Sequence, residues 1–251
     1  MSQSLARVLR ILVELSEGPR SLDDLAQATG VHKSTVLRQL RVLEGERFAY
    51  HDAAHRYHLG SRLFALADAA LERREVRGVA APHLARLNRS TGQTVHLGVR
   101  EGDEVIYLDK YEAPHQIRMY SRIGLRMPLH ATAMAKVLLA GLPPVRREEI
   151  AAGIDYTPFT PSTITGPERL LAELRRVGRQ GYAVDDGEHE TFITCVAAPI
   201  RDVGGRVAAA MSISVPTMVL DRDQVFGLLP ELTRTARAIS AECGHIEGEE
   251  R

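Results

Sequence analysis

Ser34, Arg38 and Arg41 stand at i, i+4 and i+7 within the stretch His32–Leu43, the spacing that gathers side chains onto one face of a helix. Thr35 and Gln39 flank this polar stripe, and Lys33 lies at its beginning. Val36, Leu40 and Leu43 form an apolar stripe opposite. Arginine and glutamine side chains can make paired hydrogen bonds to base edges, whereas serine, threonine and lysine more often hold phosphates. A helix of this kind is suited to the major groove, its N-terminal residues leading. Arg56, a little further on, is placed to reach the neighbouring backbone or the minor groove.

A second chemistry is open on paper. Cys195 with His189 or His130, or one of the serines with a base, could form a nucleophilic pair. Nothing in the spacing fixes those distances. The chain has no G-x-S-x-G elbow, no phosphate loop of the form G-x-x-x-x-G-K-[ST], no H-E-x-x-H and no C-x-x-C pair. Histidines 83, 96, 115 and 130 lack the spacing of zinc ligands. A DNA-tethered esterase or hydrolase is therefore the alternative, and a non-enzyme without cofactor or metal is the expectation.

The elements needed to present the stripe are legible around it. Leu5, Val8, Leu9, Leu12 and Leu15 recur at helical spacing, so Ser4–Leu15 is expected to be a helix, ended by Gly18-Pro19. Ser21 suits an N-cap, with Asp24 at the capping-box position, and Gly30 suits the left-handed residue that closes a short second helix. After the third helix, Phe48-Ala49-Tyr50 and Arg56-Tyr57-His58-Leu59 flank a polar turn and predict a hairpin. Helix, turn, helix and hairpin make a winged helix-turn-helix over residues 1–60.

Residues 61–78 predict a linker helix, and residues 79–247 a second domain. There the period changes to two at Val95, Leu97 and Val99, with further strands at Val105–Leu108, Ile117–Ile123, Ile193–Ile200 and Arg206–Val215. Helices are expected at Ala131–Ala140, around Arg146–Ala152, at Glu168–Gln180 and at Asp221–Ala241. This interleaving predicts an α+β domain on one mixed sheet.

Composition restrains the reading. The 251 residues carry 32 basic and 32 acidic side chains, and residues 1–60 hold eight Lys/Arg against seven Asp/Glu. One such domain neutralises few phosphates, and affinity depends steeply on that number. A homodimer or tetramer on a near-palindromic, double-stranded operator is therefore expected. No apolar run approaches the ~18 residues of a membrane span, the N-terminus has no apolar signal region, and two unrelated cysteines fit a reducing cytoplasm.

The run from Ser4-Leu5-Ala6-Arg7-Val8-Leu9 through Gly30-Val31-His32-Lys33-Ser34-Thr35-Val36, with Tyr57-His58-Leu59-Gly60, resembles the IclR family of transcription regulators. So do Arg126–Lys136, Gly181–Glu188, Cys195–Ile200 and Met211–Pro216, and the resemblance covers essentially the whole chain. It implies a GAF/PAS-like sensor domain for a small metabolite, often a carboxylate, and regulation of promoter DNA as repressor or activator. It further implies a pocket at Asp185, Cys195, Ser212 and Ser214, with the backbone of Ala133 and Met134 lining it. Ser212 and Ser214 would then face one side of a strand. Read from the residues alone, Cys195 in its apolar strand is by default a buried inert thiol rather than pocket lining, the two serines face either pocket or solvent, and Asp185 and Asp186 suit a turn. The sequence departs from the family pattern at Met134 and Ala135, where small residues usually stand, and near Phe192, where glycine is usual. Tyr120–Gly124 is similar to branches that sense sugar-acid breakdown products such as 2-keto-3-deoxygluconate. Arg122 and Arg126 would clamp a carboxylate if they pointed inward.

Overall fold

A computed structural model describes residues 3–72, 75–114 and 119–246, and the chain divides into two compact units at residues 74/75. His115 and the start of the strand expected from Ile117 lie outside the described residues.

The first unit runs α1 (Gln3–Ser16), α2 (Leu22–Thr29), α3 (Lys33–Gly45), β1 (Ala49–His51), β2 (Tyr57–Leu59) and α4 (Arg62–Glu72). Local chemistry sets its turns. The Ser21 hydroxyl accepts the Asp24 N–H at 3.2 Å while the Asp24 carboxylate accepts the Ser21 N–H at 2.9 Å, so both ends of the capping box are satisfied. Gly30 adopts φ +68°, and its N–H closes α2 on Ala26 at 3.0 Å. Ile11, Leu15, Leu25, Val36, Leu40 and Leu43 then meet in one core, sealed by Ala49 and Tyr57 of the hairpin. That hairpin turns around Asp52. Its Oδ1 accepts the N–H groups of Ala54 and Arg56, both at 2.9 Å, and its Oδ2 lies 2.9 Å from His58 Nε2. The helical character expected over 61–78 divides between the units: α4 belongs to the first, and α5 (Glu75–Thr91) opens the second.

The second unit continues with β3 (Thr94–Glu101), β4 (Glu104–Tyr111), α6 (Ala133–Ala140), α7 (Pro144–Gly153), α8 (Pro167–Gln180), β5 (Ala183–Asp186), β6 (Ile193–Arg201), β7 (Val207–Pro216), α9 (Arg222–Gly227) and α10 (Leu229–Glu242). One sheet of order β4-β3-β7-β6-β5 carries them, and every pairing in it is antiparallel rather than mixed. Residues 119–123 form a loop instead of the expected strand. Backbone contact with the β4 edge begins after it, where Gly124 N–H donates to Tyr107 O at 2.8 Å, Arg126 bridges to Ile106, and Met127 N–H donates to Val105 O at 2.8 Å. The expected single C-terminal helix is two helices, because Pro230 lacks the N–H that would continue α9 and restarts the chain as α10.

Register sorts the sheet into two faces. Val184, Val196, Ile213 and Val95 are consecutive partners across it, an apolar row on the face covered by α5 and α10. The adjacent rows, Asp185–Cys195–Ser214–Thr94 and Ala183–Ala197–Ser212–His96, turn to the other face, under α6. Small residues at Ala183, Ala197 and Ala210 let α6 lie close to the strands. Beyond them the serines, the cysteine and the acid open into a cleft.

Candidate functional site

In the first unit, α3 begins on His32, whose Nδ1 accepts the Ser34 N–H at 3.3 Å and lies 2.8 Å from the Ser34 hydroxyl. Lys33 pairs with Asp23 at 2.7 Å on the surface. Arg38 and Arg41 are exposed and carry no ion pair among the described residues; Ser34 is exposed and Thr35 half-buried. Gln39 differs from its expected place on the groove-facing stripe. It stands three residues after Val36 and four before Leu43, shares their face, and is buried with its Oε1 unpaired. Arg56 is exposed at the turn of the hairpin, and its guanidinium donates to Pro19 O at 2.8 Å.

In the second unit, a cleft partly open to solvent lies between the sheet and the N-terminus of α6. Ala133, Met134, Asp185, Cys195, Ser212 and Ser214 all line it. Three strands and one helix thus bring together residues spread over some eighty positions of sequence. Met134 and Met127 both pack against Gly98, where a Cβ would stand 3.3 Å from Met134 Sδ and 2.9 Å from Met127 Cε, so the glycine gives both methionines room. Phe192 is half exposed and outside the lining, while its neighbour Ile193 is part of it.

The first N–H groups of α6 have no intrahelical partner, as at any helix start. The Thr132 N-cap does not close them, since its hydroxyl donates backwards to Pro128 O at 2.9 Å. The end of α6 that meets the cleft therefore presents donors and the positive end of the helix dipole.

Burial governs the charges here. It lifts the Asp185 carboxyl to about 7, helped by the nearby Glu188 carboxylate and opposed by the N–H groups of Glu188 and His189 that the carboxylate accepts. Burial, and then the Asp185 charge, push the Cys195 thiol far above its ordinary range. The thiol's partner is Ser214 Oγ at 3.1 Å, not a histidine, and His130 is engaged with Thr157 O at 3.0 Å. Cys195 is thus a protonated wall residue and not an activated nucleophile. Burial and the Lys110 charge lower His96 to about 3, so its imidazole is neutral.

Sequence reading did not single out four further lining residues, His96, Tyr107, Ser121 and Glu190. The signal for His96 was present: it interrupts the apolar series Val95, Leu97, Val99 on the opposite phase. Arg122 and Arg126 do not enter the cleft. The first stacks on Tyr120, 5.5 Å from the ring centre, and the second pairs with Glu104 at 2.7 Å on the surface.

Residues 4–53 match the IclR helix-turn-helix domain, and residues 68–241 match the C-terminal domain of bacterial transcriptional regulators of the IclR type. The chain is 35% identical over 246 residues to the HTH-type transcriptional regulator XynR of Escherichia coli (strain K12), covering 97% of this chain and 98% of that protein. It superposes on the IclR crystal structure of Thermotoga maritima with TM-score 0.85, at 32% identity, over 98% of this chain and 100% of that one. An IclR homologue of Microbacterium hydrocarbonoxydans, crystallised with 4-hydroxybenzoate, gives TM-score 0.83 at 28% identity over 96% and 98% of the two chains.

Proposed function

The chain belongs to the IclR family of bacterial transcriptional regulators, and we propose that its operator affinity is set by a small hydroxylated organic acid held in the cleft under α6. The observation that carries this reading is the convergence of Ala133, Met134, Asp185, Cys195, Ser212 and Ser214 on one largely buried cleft. A carboxylate seated at the start of α6 would take the N–H groups of Ala133 and Met134 and the hydroxyls of Ser212 and Ser214. Asp185, near half-protonated at neutral pH, can donate to or accept from a ligand oxygen. The bound 4-hydroxybenzoate of the Microbacterium homologue supports an organic acid as the class.

On the DNA side, Arg38 and Arg41 are the readers of base edges, with Lys33, Ser34 and Thr35 on phosphates and Arg56 at the flank. Gln39 supports α3 from within. The regulator acts as at least a dimer. Leu5, Leu9 and Val13 leave an exposed apolar stripe along α1, each more than half exposed, and a second copy of the same stripe would cover it. The acid shifts the balance of two dimer arrangements only through its differential affinity for them.

Two measurements test this. A gel shift on the promoter beside the gene should show binding that survives moderate salt and competitor DNA. A thermal-stability screen of organic acids should find members that raise the melting temperature of the second unit, and a broad panel with no effect rejects the sensor.

A further inference from the structure

Resting on the reading of this cleft as the effector site, we infer that His96 determines which acids fit it, by fixing the hydrogen-bond directions along a buried relay from Cys195 through Ser214 and His96 to Ser121. The relay is continuous. Cys195 Sγ lies 3.1 Å from Ser214 Oγ, Ser214 Oγ lies 3.3 Å from His96 Nδ1, and His96 Nε2 lies 2.8 Å from Ser121 Oγ. Both serines line the cleft, and His96 is 2% exposed. Lys110 donates to Ser121 O at 2.9 Å and Met119 O at 3.3 Å, which holds the loop end of the relay. The Tyr107 ring, its centre 5.1 Å from that of the imidazole, fixes the ring's orientation.

A neutral imidazole has one N–H and one lone pair, so the relay has two settings. In the first, Nδ1–H donates to Ser214, which also accepts the Cys195 thiol. Both lone pairs of that hydroxyl are then used, and its proton is free for the ligand. Nε2 then accepts the Ser121 O–H, leaving Ser121 lone pairs turned to the cleft. In the second, Ser214 spends its proton on Nδ1, and Ser121, accepting Nε2–H, has a proton to give.

A carboxylate oxygen at Ser214 needs that proton and selects the first setting. The same choice makes Ser121 an acceptor that a hydroxyl must answer. The relay therefore reads a pair of features: an anionic acceptor at the sheet and a hydroxyl donor toward the loop. That is the pattern of a polyhydroxylated aliphatic acid. A hydrocarbon acid of the same length leaves Ser121 unanswered in a desolvated site, which costs affinity.

The test uses the full-length protein and two six-carbon acids, D-gluconate and hexanoate, by calorimetric titration. Wild type should favour D-gluconate by about tenfold or more, the worth of one buried polar group left without a partner. His96→Leu should bring the ratio near one. Ser121→Ala, a milder change at the other end of the relay, should lower the ratio several-fold and serves if the first variant does not fold. Histidine-selective 15N spectra should show His96 settling as the Nδ1–H form when D-gluconate is added. Gluconate binding with an unchanged ratio in a folded variant overturns the role of His96 and leaves the effector site standing. If neither acid binds wild type, or hexanoate binds as well as D-gluconate, the hydroxy-acid class is overturned.

Discussion

Asp185 accepts the backbone N–H of Glu188 at 2.7 Å through the same carboxyl oxygen that also takes the His189 N–H at 3.3 Å. Two N–H donors favour the charged form, yet burial outweighs them and leaves the group titrating at about 7. Its protonated form donates to a ligand oxygen, and its charged form repels a carboxylate at close range. Affinity for an anionic effector should therefore fall as pH rises through 7, approaching tenfold per unit above it if only the protonated form binds. Asp185→Asn should flatten the profile between pH 6 and 8. The same shift acts on stability. The folded carboxyl holds its proton to a higher pH than the unfolded value of 3.8, so its contribution is full below about 4 and is lost as pH rises through 7. Titrations and melting curves across that window check both signs, and a steep profile retained in Asp185→Asn assigns the effect elsewhere.

Arg38 and Gln39 are neighbours in sequence with opposite surroundings, one exposed and one buried. Arg38→Ala should weaken operator binding by about 1–3 kcal/mol, concentrated on one or two base pairs, without moving the melting temperature. Gln39→Leu should leave operator affinity unchanged. It removes a buried, unpaired Oε1, so stability should hold or rise by roughly 1 kcal/mol. Gel shifts on operator variants alongside thermal melts separate the two. An operator defect in Gln39→Leu at full stability would return Gln39 to the groove.

Lys136 on α6 is 1% exposed, and its ammonium is held by Val184 O at 2.9 Å and the Glu188 carboxylate. This ion pair ties α6 to the loop that carries Glu188 and His189, beside the cleft. Lys136→Met would leave Glu188 largely buried and uncompensated, at a cost of about 3–5 kcal/mol. The double variant Lys136→Met with Glu188→Gln should recover most of that loss, since it removes both charges together. Denaturant unfolding of the two singles and the double measures the difference. Additive losses would mean that the two side chains do not act as a pair.

The parts of this molecule legible in its sequence are those specified locally. Ser21 with Asp24 and the left-handed Gly30 announce where α2 begins and ends, and the apolar spacing of α1 and α3 says which faces meet. What escaped depends on long-range pairing. Periodicity shows that His96 points away from Val95 and Leu97, but only the register His96↔Ser212 shows that it shares a wall with the serines. Asp185 and Asp186 suit a turn because two acids stand beside Gly187, yet pairing Asp185 with Cys195 and Asp186 with Thr194 makes them part of the edge strand of the site. Gln39 sits where the polar and apolar stripes of α3 meet, and composition alone cannot assign such a border residue. Ile117–Ile123 has strand-like composition, while its described part, 119–123, lies outside the sheet.

The two units have separate cores, one around Val36 and Leu40 and the other between α6 and the sheet, so damage to one should leave the other folded. Gly60 offers a sharp means of testing this. A Cβ there would stand 2.7 Å from Arg47 C and 2.8 Å from Phe48 C, and both obstacles are backbone that cannot swing aside. The same approach is fixed by hydrogen bonds from Gly60 N–H to Phe48 O at 2.8 Å and from Arg62 N–H to Arg47 O at 3.0 Å. Gly60→Ala must therefore break the join between α3, the hairpin and α4, at a cost of roughly 3 kcal/mol or more, comparable with overpacking a core. Calorimetry should show the first unit's transition lowered or lost and the second unit's retained. Operator binding should disappear while the acids found by thermal screening still bind. A single transition that falls as a whole would show instead that the units unfold as one cooperative block.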